Sequence, residues 1–255
     1  MTERMSAGEP PALIAVAHGS RDPRSAATIT RLVEQVRQQR PDLAVRLSFL
    51  DLSTPRLPNV LAAVAGDGHR HAVVVPLLLG RAFHAKVDLP GALAKATGRH
   101  PGLRLSVADV LGGDHRLAQA ALRRLSEVAG PLDAPELGVV LAAIGSSRPD
   151  ANVAVQRLAS RWARQHGWAG ALAAFGTSAE PSVPSAISRL RERGAERIAV
   201  ASWFLAPGLI PTRVATTAAD FQVPMAAPLG PDPLVAEVIV DRYLATAGQL
   251  TTAVA

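Results

Sequence analysis

The sequence predicts an α/β protein of two tandem, similar domains, each a parallel sheet flanked by helices, with the active site in the cleft between them. Two observations predict the architecture. Short continuous apolar runs alternate with helix-period segments along the whole chain. Such runs are what strands look like when helices cover both faces of a parallel sheet, and strand–helix alternation brings right-handed crossovers with it. The second observation is a repeat. Ala17-His18-Gly19-Ser20 returns as Ala143-Ile144-Gly145-Ser146, and the stretch from Pro76 to His84 returns as Ser202 to Ile210, both 126 positions on.

In the first half the expected strands are Ala12–Ala17, Ala44–Leu50, Ala72–Leu79 and Leu103–Val110. The expected helices are Ser25–Gln39, Leu57–Ala65, Leu89–Thr97 and Arg116–Val128. Turn chemistry agrees: Asp22-Pro23 precedes the first helix, Ser53-Thr54-Pro55 the second and Gly112-Gly113-Asp114 the fourth. The second half repeats the order, with strands at Gly138–Ala143, Gly170–Phe175, Arg197–Phe204 and Pro224–Pro228. Its helices are expected at Ala151–Gln165, Val183–Arg193, Arg213–Ala219 and Leu234–Ala245. Gly130-Pro131-Leu132-Asp133-Ala134-Pro135 is the natural linker, dividing the chain into residues 1–130 and 131–255. Late in the repeat Leu111-Gly112 returns as Leu229-Gly230, an offset of 118 in place of 126, so the second copy is eight residues shorter there.

Composition narrows the function. Hydrophobic residues make up 48% of the chain and aromatics only 4%, so an ample core must be built from Ala, Val and Leu. The net charge of +6 and pI of about 11.0 raise the question of nucleic acid. However, Lys occurs only at Lys86 and Lys95, Arg is interspersed with Glu and Asp, and no stacking aromatic series accompanies it. A mildly basic enzyme for a polyanionic small molecule fits better. There is no cysteine, which leaves His and carboxylates as metal ligands. No signal-peptide pattern and no run near the roughly 20 apolar residues of a membrane span occur, so a soluble, cytoplasmic protein is expected.

The repeat also acts as a control on the chemistry. His18, Asp51 and His84 each follow an apolar strand run, and ligands in open α/β sheets bind beyond the carboxyl ends of strands. All three can therefore reach one rim. Their counterparts 126 positions on are Ile144, Thr177 and Ile210, while Gly19 and Pro55 persist as Gly145 and Pro181. A histidine needed for folding should be needed in both halves. For Asp51 the bland alternative is a helix cap, although Ser53 and Thr54 are better placed for that. His69 and His71 resemble a metal pair but sit at the opposite rim, where an inert solvated turn is expected. His100, His115 and His166 are isolated. Ser20, Arg21 and Asp22 open the first helix, where free N–H groups and a basic side chain can hold a carboxylate. Arg81, Lys86 and Asp88 flank His84 as anion contacts or as a charged loop. No Gly-x-x-x-x-Gly-Lys loop, Gly-x-Gly-x-x-Gly turn or Gly-x-Ser-x-Gly elbow is present, which argues against ATP-driven, hydride-transfer and serine-hydrolase chemistry.

Ala17-His18-Gly19-Ser20-Arg21 and Pro76-Leu77-Leu78-Leu79-Gly80-Arg81-Ala82-Phe83-His84, the latter followed by Asp88-Leu89-Pro90, closely resemble the two motifs of the sirohydrochlorin chelatases, the ATP-independent class II chelatases. The resemblance covers nearly the whole chain and includes the long form with one active and one degenerate half. It implies that His18 and His84 bind the metal and assist its insertion. Some members add an acidic residue in a Phe-Leu-acid-Leu segment, and Phe49-Leu50-Asp51-Leu52 carries Asp in place of the usual Glu there, while Ala82 stands where Gly is common. The expected reaction is insertion of Fe²⁺ or Co²⁺ into sirohydrochlorin without a nucleotide. The metal would be held by His18, His84 and Asp51, and the substrate carboxylates by Ser20, Arg21, Arg81 and Lys86. The expected form is a monomer whose halves make a pseudo-dimer, with no nucleic-acid or membrane partner. The alternative is a non-catalytic two-lobed carrier of metal or tetrapyrrole.

Overall fold

A computed structural model of the chain describes residues 10–80, 89–146, 149–177 and 180–252. Among these, the first half runs β1 (Ala12–Ala17), α1 (Pro23–Gln39), β2 (Val45–Phe49), α2 (Leu57–Gly66), β3 (His71–Pro76), α3 (Leu89–Thr97), β4 (Arg104–Val107) and α4 (His115–Ala129). The second half runs β5 (Leu137–Ala143), α5 (Pro149–His166), β6 (Gly170–Phe175), α6 (Val183–Glu192), β7 (Arg197–Trp203), α7 (Leu209–Asp220) and α8 (Pro233–Thr252). Each half carries an all-parallel sheet, in order β2-β1-β3-β4 and β6-β5-β7. No helix among the described residues is long and apolar enough to cross a membrane.

The apolar runs are central strands because both of their faces are covered. Leu13, Ala15 and Ala17 of β1 face one core, while Ala12, Ile14 and Val16 face another made with Leu57, Val60, Leu61 and Val64 of α2 and Leu89 and Leu93 of α3. In the second half Val140 and Ala142 of β5 meet Val183, Ala186, Ile187 and Leu190 of α6 and Val214 and Ala218 of α7. The remaining faces of the two sheets share one continuous core with α1, α4, α5 and α8.

That shared core has a feature the linear order conceals. α4 lies against β7, while α8 lies against β3 and α1. Each half thus lays its last helix over the other half's sheet. Arg116 on α4 pairs with Asp241 on α8 at 2.6 Å, and the Tyr243 hydroxyl of α8 donates to the Pro11 carbonyl at 2.7 Å, just before β1. Buried Asp232, which accepts from the Leu234 N–H at the start of α8, pairs with Arg123 of α4.

Three expectations need correction. The strand expected at Pro224–Pro228 is reduced to one bridge, Met225 beside Val200. Val200 donates to the Pro224 carbonyl and accepts from the Ala226 N–H. Pro224 and Pro228 have no N–H to give, so the ladder stops there. Second, neither Ser53 nor Thr54 caps α2; Arg56 stands at its cap with no side-chain bond, and Pro lies in the first turn. Third, His71 is not a solvated turn residue: it opens β3 and its Nε2 lies 3.0 Å from Ser106 Oγ. Burial, more than nearby Arg104, pulls its imidazole below the usual range.

Candidate functional site

The rim is built by backbone that runs on past the strands. After β1 and β2 part, the Leu50 N–H donates to the Ala17 carbonyl at 3.0 Å and the Asp51 N–H to the His18 carbonyl at 2.9 Å. His18 and Asp51 are therefore paired neighbours at one sheet edge, although 33 residues separate them in sequence. Gly19 permits the approach. Its φ is +98°, and a Cβ there would stand 1.7 Å from the Asp51 carbonyl oxygen. The Ser53 hydroxyl completes the turn, donating to the Ser20 carbonyl at 3.1 Å and accepting from the Ser20 N–H at 3.2 Å. This is what occupies Ser53 in place of a helix cap.

His18 is half-buried and Asp51 is exposed. The Asp51 carboxyl is held below the usual carboxylate range, first by the Leu52 N–H, then by the Arg56 guanidinium 2.7 Å away, with a smaller contribution from His18. An ionised carboxylate beside an imidazole suits a divalent cation. Arg56 competes for it, so Asp51 must share or release that partner to ligate a metal. Sequence reasoning missed Arg56; its spacing of five residues across Pro55 was the available signal.

The other anticipated residues separate. Ser20 Oγ accepts from the Asp22 N–H at 3.1 Å within the turn. Arg21 is exposed beside it. Asp22, however, is itself the cap of α1: it accepts from the Arg24 N–H at 2.9 Å and pairs with the Arg24 guanidinium at 2.6 Å. The helix start expected to receive a substrate carboxylate already holds one of the chain's own. His84, Arg81, Lys86 and Asp88 lie outside the described residues. Among the described residues no group of three potential ligands is assembled.

The second half repeats this backbone without the ligands. Gly176 donates to the Ala143 carbonyl at 2.9 Å and Thr177 to that of Ile144 at 3.1 Å. Phe175 N–H bonds to the Pro181 carbonyl as Phe49 N–H does to that of Pro55. Gly145 has φ +85° and is closed in by Phe175 and Thr177. Ile210, the counterpart of His84, sits in the first turn of α7, where its Cγ2 would be 2.4 Å from a Cβ on Gly176.

Comparison with known proteins gives a consistent picture. The family model CbiX matches residues 12–128 and again 138–246. A sirohydrochlorin ferrochelatase of Bacillus subtilis (strain 168) is 32% identical over 139 residues, covering 54% of this chain and 52% of the relative. The matched region therefore spans about half the length of that relative. A sirohydrochlorin cobaltochelatase of Methanosarcina acetivorans is 28% identical over 134 residues, 50% of this chain and 98% of that protein. Among solved structures, SirB from Bacillus subtilis with Fe³⁺ superposes with a TM-score of 0.80 at 25% identity, covering 95% of this chain and 98% of SirB. The resemblance read from the two histidine motifs and the two-domain α/β architecture agree with these matches.

Proposed function

Since this chain belongs to the CbiX family, we propose that it is a sirohydrochlorin chelatase, inserting Fe²⁺ or Co²⁺ into sirohydrochlorin for siroheme or cobalamin without a nucleotide. The observation that carries this reading is the pairing of His18 with Asp51 on a rim whose twin presents Ile144 and Thr177. The backbone needs neither ligand. In this reading residues 1–130 form the domain that carries the metal ligands and residues 131–255 the repeat that lacks them. A single chain supplies both lobes of the cleft, and the reaction belongs in the reducing cytoplasm.

His18 and His84 act as neutral imidazole ligands, with the Asp51 carboxylate as third ligand or proton acceptor. The incoming macrocycle is an acidic tetrapyrrole whose carboxylates meet Ser20, Arg21, Arg81 and Lys86. As the metal moves from the protein to the ring nitrogens, two pyrrole N–H protons leave. An imidazole that has released the metal regains a lone pair and takes one proton, and Asp51 or water takes the other. The geometry supports Asp51 for this part, since it is exposed and ionised beside His18.

The test is an anaerobic spectral assay of sirohydrochlorin with Fe²⁺ or Co²⁺ and substoichiometric protein. Many turnovers per chain without ATP are expected. Conversion that stops at one equivalent per chain would replace the enzyme with a carrier.

A further inference from the structure

The second half's rim has lost its ligand positions, yet it is not an ordinary surface. Ile144 is 53% exposed and Leu209 is 73% exposed, so neither contributes much to a core. Both lie on one continuous edge. Ile144 follows β5, and Gly176 hydrogen-bonds to Ala143 and abuts Ile210, the residue after Leu209. This edge also meets the ligand loop of the first half. Ser20 Oγ would lie 3.6 Å from a Cβ on Gly208, and Arg24 Nη2 donates to Thr212 Oγ1 of α7 at 3.2 Å. In the first half Leu52, next to Asp51, is also exposed, at 45%, and held at φ +61°. A non-glycine residue in that left-handed region costs energy that only the surrounding structure sustains.

We infer that Ile144 and Leu209, on the ligand-free half, form an apolar seat for the flat face of the tetrapyrrole, while the first half holds the metal. The inference rests on the chelatase reading above and adds specificity-determining residues to it. A metal ion or an inorganic anion gains nothing from exposed Ile and Leu. A disc with apolar faces and a carboxylate margin does, and the margin has matching charge nearby. Arg21 on the ligand loop and Arg213 on α7 are exposed, and neither is paired with a carboxylate among the described residues. Replacing an imidazole by Ile at position 144 therefore exchanges a ligand for a contact surface on unchanged backbone. The duplicated scaffold divides its work, with metal on one rim and ring on the other.

The test uses the full chain with Ile144→Asn, Leu209→Asn and the double variant. Sirohydrochlorin binding is read by fluorescence quenching without metal, Co²⁺ binding by its visible absorption without tetrapyrrole, and turnover by KM and kcat. Both residues are exposed, so melting temperatures should match the parent. The double variant should bind sirohydrochlorin on the order of ten- to a hundredfold more weakly, with KM raised in proportion. Co²⁺ affinity and kcat at saturating ring should change by less than about twofold. Leu209→Met, which keeps apolar volume, should behave as the parent. Unchanged ring affinity and KM in the double variant overturn the seat and leave the chelatase reading intact. A parent chain that binds the ring but metallates nothing overturns the chelatase reading, and the seat then stands or falls on the variants' ring affinity. A parent chain that binds no ring removes both.

Discussion

At the end of β1 the chain reads His18-Gly19; at the end of β5 it reads Ile144-Gly145. Around these pairs the halves make the same connections: Asp51 to His18 at 2.9 Å and Thr177 to Ile144 at 3.1 Å, with Phe49 and Phe175 each bonded to the carbonyl of the proline that follows. Both glycines hold positive φ under close neighbours. Among the described residues the halves differ in the side chains at these positions and in the fourth strand, which is β4 in the first half and only the Val200–Met225 bridge in the second. The difference teaches that the fold demands the turns, and that His18 and Asp51 answer to some other requirement.

The comparison can be broken at its shared part first. Gly19→Ala places a methyl group against the Asp51 carbonyl at a φ that L-residues avoid, and should destabilise the protein by at least about 2 kcal/mol in denaturant melts. Gly145→Ala should do likewise, because its Cβ would stand 2.7 Å from that of Phe175. A neutral Gly19→Ala would mean that the turns are not what the halves conserve. Smaller effects are expected at the differing part. Asp51→Thr, which copies Thr177, should slow metal insertion on the order of tenfold while leaving the melt within about 1 kcal/mol of the parent. Because the Leu52 N–H and Arg56 keep this carboxyl below the usual range, Asp51→Asn should lose the same factor across neutral pH. A loss that vanishes toward higher pH would contradict an already ionised Asp51. Least of all should come from Ile210→His. With Ile144 and Thr177 still in place, it should leave one metal bound per chain in a stoichiometric titration, and a second would show that one histidine suffices.

Much of this was legible in the sequence. Runs such as Ala12–Ala17 are apolar throughout because helices cover both faces, and that signal needs no tertiary information. The alignment of His18 with Ile144 came from the repeat alone. The exchange of α4 and α8 was not legible, since an apolar helix stripe such as Leu117, Ala121 and Leu125 does not say which sheet it will cover. Nor was the path of Ser53, whose hydroxyl crosses to Ser20. Its position before Pro55 read as a helix start, and only the closed turn shows otherwise. Pro224–Pro228 read as a strand because its apolar run kept the register of β4, as Met225 beside Val200 still does. Arg56 escaped notice because an ion pair across a tight turn depends on how the turn closes.

The most direct test converts the first rim into the second. His18→Ile, Asp51→Thr and His84→Ile together reproduce Ile144, Thr177 and Ile210 on the first copy's backbone. Sirohydrochlorin metallation under anaerobic conditions and thermal melting should be measured on the same preparation. The account predicts loss of turnover by more than about a hundredfold with a melt close to that of the parent. Turnover that survives the triple exchange in a folded chain would contradict it.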